Sequence, residues 1–397
     1  MKPSVFYQFL GAHSLLIGLF PFYLPVYLWG LGFNLQAISV LIGISGATFC
    51  LSLKLWQTIA RHQSAALLVA LTFGLECLLV IAVFLLTEVL KSQYIIAIAC
   101  LLGIANGLYN AFFWTTQRTL FLALLGSNDS GRQFGNFQIF VTLFLKFGIV
   151  LGGLLLEQGG LLWIIGLSTV LNLSLWIWFK RTLDSTRLSN VDSCTFAQGF
   201  TFKDNRGSAL SFRIDGIFLF LESHFWTLTL FILVKSDYAA LGLVVVALAA
   251  VFALLFFLIK NTIDLYPTQQ IYLLAVALYV LSWVLRYSID TSESVLESNW
   301  LGIQLIVITF CTSFFRLAFN KRFFDHAKSG TGVHYLLAKS IVSQAYLSAF
   351  FLALALYVGG FAIDGVAALQ ASYLLAAVVA ILFAFYQPTV QPARGQS

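Results

Sequence analysis

The chain has 397 residues, of which 60% are hydrophobic and only 10% are Asp, Glu, Lys or Arg. Soluble domains carry about 25% charged residues, so this composition excludes a water-soluble fold, and its hydrophobicity excludes a disordered chain. The formal net charge is +6, and what it means depends on which side of a membrane the charges occupy.

A helix that spans a bilayer needs about 20 mostly apolar residues. Twelve stretches have that length, so the sequence predicts an all-α polytopic membrane protein with twelve transmembrane helices. In chain order these segments are 6–29, 35–57, 65–87, 94–120, 134–157, 160–180, 212–234, 238–260, 270–289, 299–321, 333–358 and 362–386. The break between the fifth and sixth segments depends on Gly159-Gly160, which is the only turn signal there.

The basic residues outside the segment interiors indicate the orientation. With twelve segments both termini lie on one side, which collects fifteen Lys and Arg residues, whereas the other side collects Lys91, Lys235 and Arg286. Because basic residues are retained on the cytoplasmic side, we expect both termini to be cytoplasmic in a plasma (inner) membrane. The net charge of +6 is then explained by the membrane orientation and requires no nucleic-acid partner.

The longest polar stretch, residues 181–211, lies between the sixth and seventh segments. It predicts a six-helix bundle over 1–180, a cytoplasmic linker over 181–211 and a second six-helix bundle over 212–397. A weak internal repeat supports this division, because Ala111–Trp114 and Ser313–Arg316 share a pair of phenylalanines at corresponding positions of the two halves.

The seventh segment carries ionisable residues in its apolar interior. Asp215 and Glu222 are seven residues apart and therefore share one face of a helix, and His224 lies near the midpoint. Charged side chains inside a bilayer are costly and usually face a cavity or a partner. We interpret Glu222 and Asp215 as candidates for proton coupling, with an interhelical ion pair as the alternative, and His224 as a candidate cavity residue.

The fourth segment carries a polar stripe made of Asn106, Asn110, Trp114 and Gln117. Their spacing places all four on one face of an otherwise apolar helix. A few amide and indole groups on an apolar wall are typical of a small-molecule site. The alternative is hydrogen bonding between helices.

Four further polar residues lie within other segments. Arg316 in the tenth segment matches a substrate carboxylate or phosphate, or extends to the interface. His13 in the first segment is either a site residue or a packing residue, and Lys339 in the eleventh is expected to extend to the interface. Lys146 in the fifth lies too deep for that and needs an acidic partner, for which the sequence offers Glu222 and Glu76, or an anionic ligand.

Twelve segments, cytoplasmic termini and a long central loop resemble the major facilitator superfamily of secondary transporters. In sequence motifs the resemblance is loose. The loop after the second segment keeps basic Lys54 and Arg61 but not the glycines and aspartate of the family pattern, and Gly148, Gly152 and Gly153 resemble a glycine-rich motif of exporters. The resemblance implies a monomer that transports a small molecule by alternating access, around a cavity lined by the first, fourth, seventh and tenth segments.

Enzyme motifs are absent from the sequence: it contains no G-x-x-x-x-G-K-[ST], no H-E-x-x-H and no G-x-S-x-G. We therefore predict no enzyme activity, no cofactor and no metal. The leading hypothesis is a secondary transporter of a small molecule. An anionic substrate and proton coupling are options within this hypothesis, and the direction of transport and the coupling ion stay open. The alternatives are a non-transporting membrane receptor or assembly protein with this fold, and a lipid flippase.

Overall fold

The computed structural model describes residues 3–89, 94–124, 130–183, 196–263, 268–292, 295, 298–329 and 332–388. Within these ranges the chain forms fourteen α-helices and no strand. They are α1 (Pro3–Leu19), α2 (Leu24–Gly30), α3 (Leu35–His62), α4 (Ala65–Val89), α5 (Ile95–Leu124), α6 (Ser130–Thr182), α7 (Phe196–Phe200), α8 (Ser208–Phe220), α9 (Trp226–Leu233), α10 (Tyr238–Ile263), α11 (Thr268–Tyr287), α12 (Asn299–Ser329), α13 (Val333–Gly360) and α14 (Gly365–Ala380).

Local sequence sets several helix boundaries. Prolines divide the first segment, because proline lacks the N–H that continues a helix, and a 3-10 turn over Pro21–Tyr23 joins α1 to α2. The side chain of Asn34 caps α3 by accepting a hydrogen bond from the backbone of Ala37, and Asp364 caps α14 in the same way.

The helix α6 contains two membrane crossings. Its candidate membrane span, Phe140–Thr182, has 43 residues, which corresponds to about 65 Å of helix and is about twice the hydrocarbon thickness of a bilayer. Gly160 interrupts it with a φ of 64° and a ψ of −165°, a conformation that favours glycine. The structure describes eleven candidate spans, and this break turns them into twelve, at the position that Gly159-Gly160 predicts.

The seventh segment is divided by a wider helical turn. A π-turn over Leu221–Phe225 lies between α8 and α9, and the backbone N–H of Trp226 donates to the carbonyl of Leu221. Such turns insert one extra residue into a helix and are frequent at functional sites. The turn contains Glu222 and His224, both of which the sequence singled out.

The outer surface carries large apolar side chains. Trp163, Leu356 and Val378 are exposed on three different helices. Many large apolar side chains exposed in this way are unfavourable in water and suit contact with lipid chains. Together with the spanning helices, it makes the chain an integral multi-pass membrane protein.

Small residues allow close approach between helices. A Cβ on Gly148 of α6 would lie 2.2 Å from the carbonyl oxygen of Leu15 on α1, so only glycine fits there. A second close contact joins α3 to α13, where the Cys50 thiol lies 3.5 Å from the carbonyl oxygen of Ile341. The second contact connects the region before the polar stretch 181–211 to the region after it.

Part of the predicted linker lies outside the described residues. Of 181–211 the structure gives the end of α6, all of α7 and the start of α8, whereas 184–195 is not described. Among the charges counted for the orientation, Lys2, Lys91, Arg187 and Arg394 also lie outside the described residues. The boundaries of the two predicted bundles and the cytoplasmic position of the termini remain predictions.

Candidate functional site

Arg316 on α12 connects the two carboxylates of the seventh segment. Its Nη1 lies 2.6 Å from Oδ1 of Asp215, and its Nε lies 2.8 Å from Oε2 of Glu222. The sequence placed both acids on one helix face, and the structure brings that face against Arg316. A guanidinium that donates to two carboxylates is held in a fixed orientation by charge-assisted hydrogen bonds.

Tyr279 on α11 adds a third helix to this cluster. Its hydroxyl donates to Oε1 of Glu222, and Arg316 Nη2 lies 3.4 Å from the same hydroxyl. The Tyr279 ring stacks on Phe315, with 3.9 Å between ring centroids. Tyr279 therefore supplies a hydrogen bond to the acid and an apolar wall beside the guanidinium.

Lys339 on α13 completes the cluster, and the expectation that it extends to the interface is wrong. Its Nζ lies 2.8 Å from Oδ2 of Asp215, and its side chain is 5% exposed. Asp215 lies at matching depth on the neighbouring helix α8 and pairs with the Lys339 ammonium group. If Lys339 extended to the interface instead, one buried oxygen of Asp215 would have no charged partner, which is costly. We call Asp215, Glu222, Arg316, Lys339 and Tyr279 the ionic network.

Exposure differs across the ionic network. The side chains of Arg316 and Glu222 are 15% and 14% exposed, whereas those of Asp215 and Lys339 are 1% and 5% exposed. Two positive and two negative formal charges give it a net charge of zero when all four are ionised. The network therefore has an accessible pair and a closed pair, joined through Arg316 and Asp215.

Three residues of the α5 polar stripe, Asn106, Asn110 and Trp114, form a continuous chain of hydrogen bonds. The Asn106 amide donates to Ser45 Oγ at 3.0 Å, the Asn110 amide donates to Asn106 Oδ1 at 2.9 Å, and the Trp114 indole donates to Asn110 Oδ1 at 2.9 Å. Asn106 and Gln117 are buried, whereas Asn110 and Trp114 are half-buried. The stripe thus presents a half-buried amide and indole pair and is anchored on α3.

Arg118 extends this stripe toward α13. Its guanidinium lies 5.7 Å from the Trp114 ring centroid and 3.5 Å from Ser340 Oγ. Ser340 is the chain neighbour of Lys339, so the α5 stripe and the ionic network meet at adjacent residues of α13. The sequence placed Arg118 with the loop charges and gave no signal for this contact.

His13 lies apart from the ionic network, in an aromatic pocket formed by α1, α4 and α5. Its Nδ1 lies 3.2 Å from Oε2 of Glu76, and both side chains are fully buried. The imidazole lies 4.0 Å from the Phe113 ring and 4.7 Å from the Phe73 ring, measured between centroids. Sequence reasoning considered Glu76 only as a partner for Lys146.

The predicted carboxylate partners of Lys146 are engaged elsewhere, so that prediction is wrong. Glu76 contacts His13 and Glu222 contacts Arg316. No described carboxylate lies within 4.0 Å of Lys146. The prediction failed because the depth of a residue along a helix does not determine which neighbouring helix its side chain faces. The anionic-ligand alternative for Lys146 remains a prediction.

His224 faces a different environment from Glu222. Its Nδ1 lies 3.0 Å from Ser223 Oγ, and its ring stacks on Phe220 with 4.8 Å between centroids. It forms no ion pair within the described part of the chain. The cavity role predicted for it remains a prediction.

Arg286 is buried at the end of α11, although the sequence counts it with the loop charges. Its guanidinium donates to Ser282 and Thr312 and lies between the rings of Trp226 and Trp283, 4.7 and 4.4 Å from their centroids. Cation–π contacts of this kind partly replace a counter-charge. Thr312 lies one helical turn before Arg316 on α12, so Arg286 packs beside the helix face that carries Arg316.

No group of three His, Cys, Asp or Glu side chains that could hold a metal ion is found among the described residues.

Comparison with known proteins identifies the fold. No family model matches the chain, and no curated protein matches it in sequence. Solved structures do match, and they confirm the predicted fold class, an all-α polytopic membrane protein.

Two of these structures belong to the nucleoside transporter NupG. A NupG mutant superposes with a TM-score of 0.66 at 14% sequence identity, over 97% of this chain and 98% of that one. A second NupG structure gives a TM-score of 0.63 at 13% identity, over 96% of both chains. At this identity the similarity establishes the fold alone.

Proposed function

We propose that the protein is a secondary transporter that moves a small polar molecule across the plasma (inner) membrane by alternating access. The observation that carries this proposal is the ionic network, which joins α8, α12 and α13 through charges placed inside membrane-spanning helices. Ionisable side chains in that position are costly and mark transport pathways. Two six-helix halves, cytoplasmic termini and a monomer are parts of the same proposal.

The arrangement of charges supports a coupling mechanism. A proton on Glu222 would remove its attraction for Arg316. Arg316 would then keep only Asp215, a carboxylate that Lys339 already neutralises at 2.8 Å. The network would carry one surplus positive charge on its accessible side, and an electron-rich or anionic substrate group would compensate it. Proton binding would thereby favour substrate binding.

A nucleoside is the first substrate to test. Two of the matched solved structures are of a nucleoside transporter. The half-buried Asn110 and Trp114 offer an amide and an aromatic ring on α5, the helix that approaches the network. Amide groups hydrogen-bond to base edges, and aromatic rings stack on bases. The direction of transport stays open in this proposal.

The test is uptake of radiolabelled uridine into proteoliposomes with an imposed pH gradient. Glu222→Gln keeps the shape of the side chain but cannot exchange a proton. We expect gradient-driven uptake to fall at least about tenfold, an effect of about 1.4 kcal/mol, whereas exchange of internal for external uridine is partly retained. Asp290→Asn, at an exposed position outside the helices, is the control and should leave both rates unchanged.

Two results would count against the proposal. Undiminished gradient-driven uptake by Glu222→Gln would exclude this residue from coupling. A wild-type protein that takes up no uridine and no other nucleoside would exclude the substrate class.

A further inference from the structure

A second cluster of ionisable side chains, formed by His13 and Glu76, has no part in the function proposed above. Glu76 is the twelfth residue of the 25-residue helix α4, so it lies near the middle of a membrane-spanning helix. Its Oε2 is 3.2 Å from Nδ1 of His13 on α1, and neither side chain is exposed. The contact joins two helices before residue 180.

The walls of this pocket are almost entirely aromatic. Phe9 and Phe73 flank the imidazole, at centroid distances of 5.4 and 4.7 Å, and Phe113 lies 4.0 Å away. From α6, Phe179 stacks on Phe73 at 5.5 Å. Tyr109 on α5 is the titratable group that faces the imidazole, with 5.9 Å between ring centroids, and the Cys77 thiol adjoins Glu76 in the chain.

The polar atoms of the pair have no other partner among the described residues. Both ring nitrogens of His13, both carboxyl oxygens of Glu76 and the Tyr109 hydroxyl are buried without a hydrogen bond. The 3.2 Å approach of Nδ1 to Oε2 is therefore a charge contact without hydrogen-bond geometry. A carboxylate that is buried without donors is strongly unfavourable as an isolated anion. The pair avoids that cost when it holds one proton, either as a carboxylic acid beside a neutral imidazole or as a carboxylate beside an imidazolium, because both forms have no net charge.

We propose that His13 and Glu76 form a proton-binding site that is separate from the ionic network and is closed to solvent in this conformation. The ligand is a single proton, held either by the Glu76 carboxyl group or by the His13 imidazole. Because neither side chain is exposed and aromatic rings pack around the imidazole, the proton exchanges with water only when α1, α4 and α5 move apart. The site itself does not depend on the proposed transport function, although a part in coupling would.

The experiment is spectroscopic and needs no substrate. Infrared spectra of the purified protein, in lipid at about neutral pH, detect the carbonyl stretch of a carboxylic acid. Nuclear magnetic resonance spectra of protein labelled with ¹⁵N-histidine detect an imidazolium. Glu76→Gln and His13→Asn assign the two signals. Glu157→Gln, at the exposed end of the first half of α6, is the matched control and should change neither signal.

We expect one of the two signals, but not both, over about pH 6–8, with slow exchange after transfer to D₂O. A pair that shows neither signal, or one that exchanges as fast as an exposed carboxyl group, would overturn the proposal. Because Glu76→Gln and His13→Asn each assign the signal of the pair, one variant that fails to fold leaves the other to decide. A wild type without nucleoside uptake would count against the proposed function and leave this result in place.

Discussion

The two buried ionisable clusters differ in how many partners each charge has. In the ionic network Asp215 contacts both Arg316 and Lys339, and Arg316 contacts both acids. In the aromatic pocket, the ion pairs formed by described residues give His13 and Glu76 only each other. A charge with two partners can lose one and stay neutralised, whereas a charge with one partner cannot. The network is therefore suited to rearrangement and the pocket to keeping its proton, and four comparisons between variants test that distinction.

The largest effect is expected when Arg316 is removed. Arg316→Leu takes one partner from Asp215, which keeps Lys339, and leaves Glu222 with the Tyr279 hydroxyl alone. Breaking a buried ion pair costs about 3–5 kcal/mol, and we expect about 3 kcal/mol because that hydrogen bond remains. Thermal unfolding in detergent measures the loss of stability.

The matched control is Lys321→Met, which breaks an exposed pair with Asp325 at 3.7 Å. Such pairs contribute about 0.5 kcal/mol. An equal loss of stability in the two variants would show that Arg316 behaves as a surface charge.

A second comparison removes the pocket pair in two ways. His13→Leu leaves the Glu76 carboxyl group buried without a partner, which costs about 2 kcal/mol. The double variant His13→Leu/Glu76→Leu removes both polar groups, and replacing a buried pair with apolar residues is often neutral. We expect chemical denaturation to show the double variant as the more stable of the two. The reverse order would mean that the pair contributes net stability.

Gly216 tests the packing that holds the ionic network closed. A Cβ at this position would lie 2.2 Å from the carbonyl oxygen of Ser343 on α13, so Gly216→Ala must separate α8 from α13. Overpacking of this kind costs about 1–3 kcal/mol, and it would move Asp215 away from Lys339. We expect uridine uptake to fall about tenfold. Gly302→Ala has no atom within 4 Å of the added Cβ, and similar uptake by both variants would contradict this reasoning.

The smallest effect is expected for Tyr279→Phe. This change removes one hydrogen bond to Glu222 and keeps the ring that stacks on Phe315. A single hydrogen bond contributes about 1 kcal/mol, which corresponds to about a fivefold change in an equilibrium constant. Uptake measured against pH should shift its midpoint in Tyr279→Phe and not in Tyr287→Phe, whose side chain is exposed. If uptake depended on pH identically in the two variants, Tyr279 would have no role in proton coupling.

The sequence predicts the fold well because hydropathy and helix length are properties of the chain itself. Twelve apolar stretches and the glycines at 159 and 160 suffice for the number of crossings. They also give the depth of Glu222 and its common face with Asp215. What they do not give is the direction in which a buried side chain points relative to other helices.

That missing direction explains the errors at the site. Lys339 was placed at the interface because its acidic partner lies on another helix, 124 positions earlier in the chain. Glu76 was assigned to Lys146 from depth alone, although it faces His13. The available signal was the number of ionisable residues within the apolar segments that become α8, α12 and α13. Considering every acid–base pair among them includes the pair of Asp215 and Lys339.

The π-turn at Leu221–Phe225 gives the seventh segment a mechanical property that a regular α-helix lacks. One residue of a helix corresponds to a rotation of about 100° and a rise of about 1.5 Å. If the π-turn shifted by one residue along the chain, the side chain at the shifted position would rotate by about that angle. The helices on either side would keep their register. Glu222, the second residue of the turn, can thus exchange neighbours without any helix sliding through the bilayer.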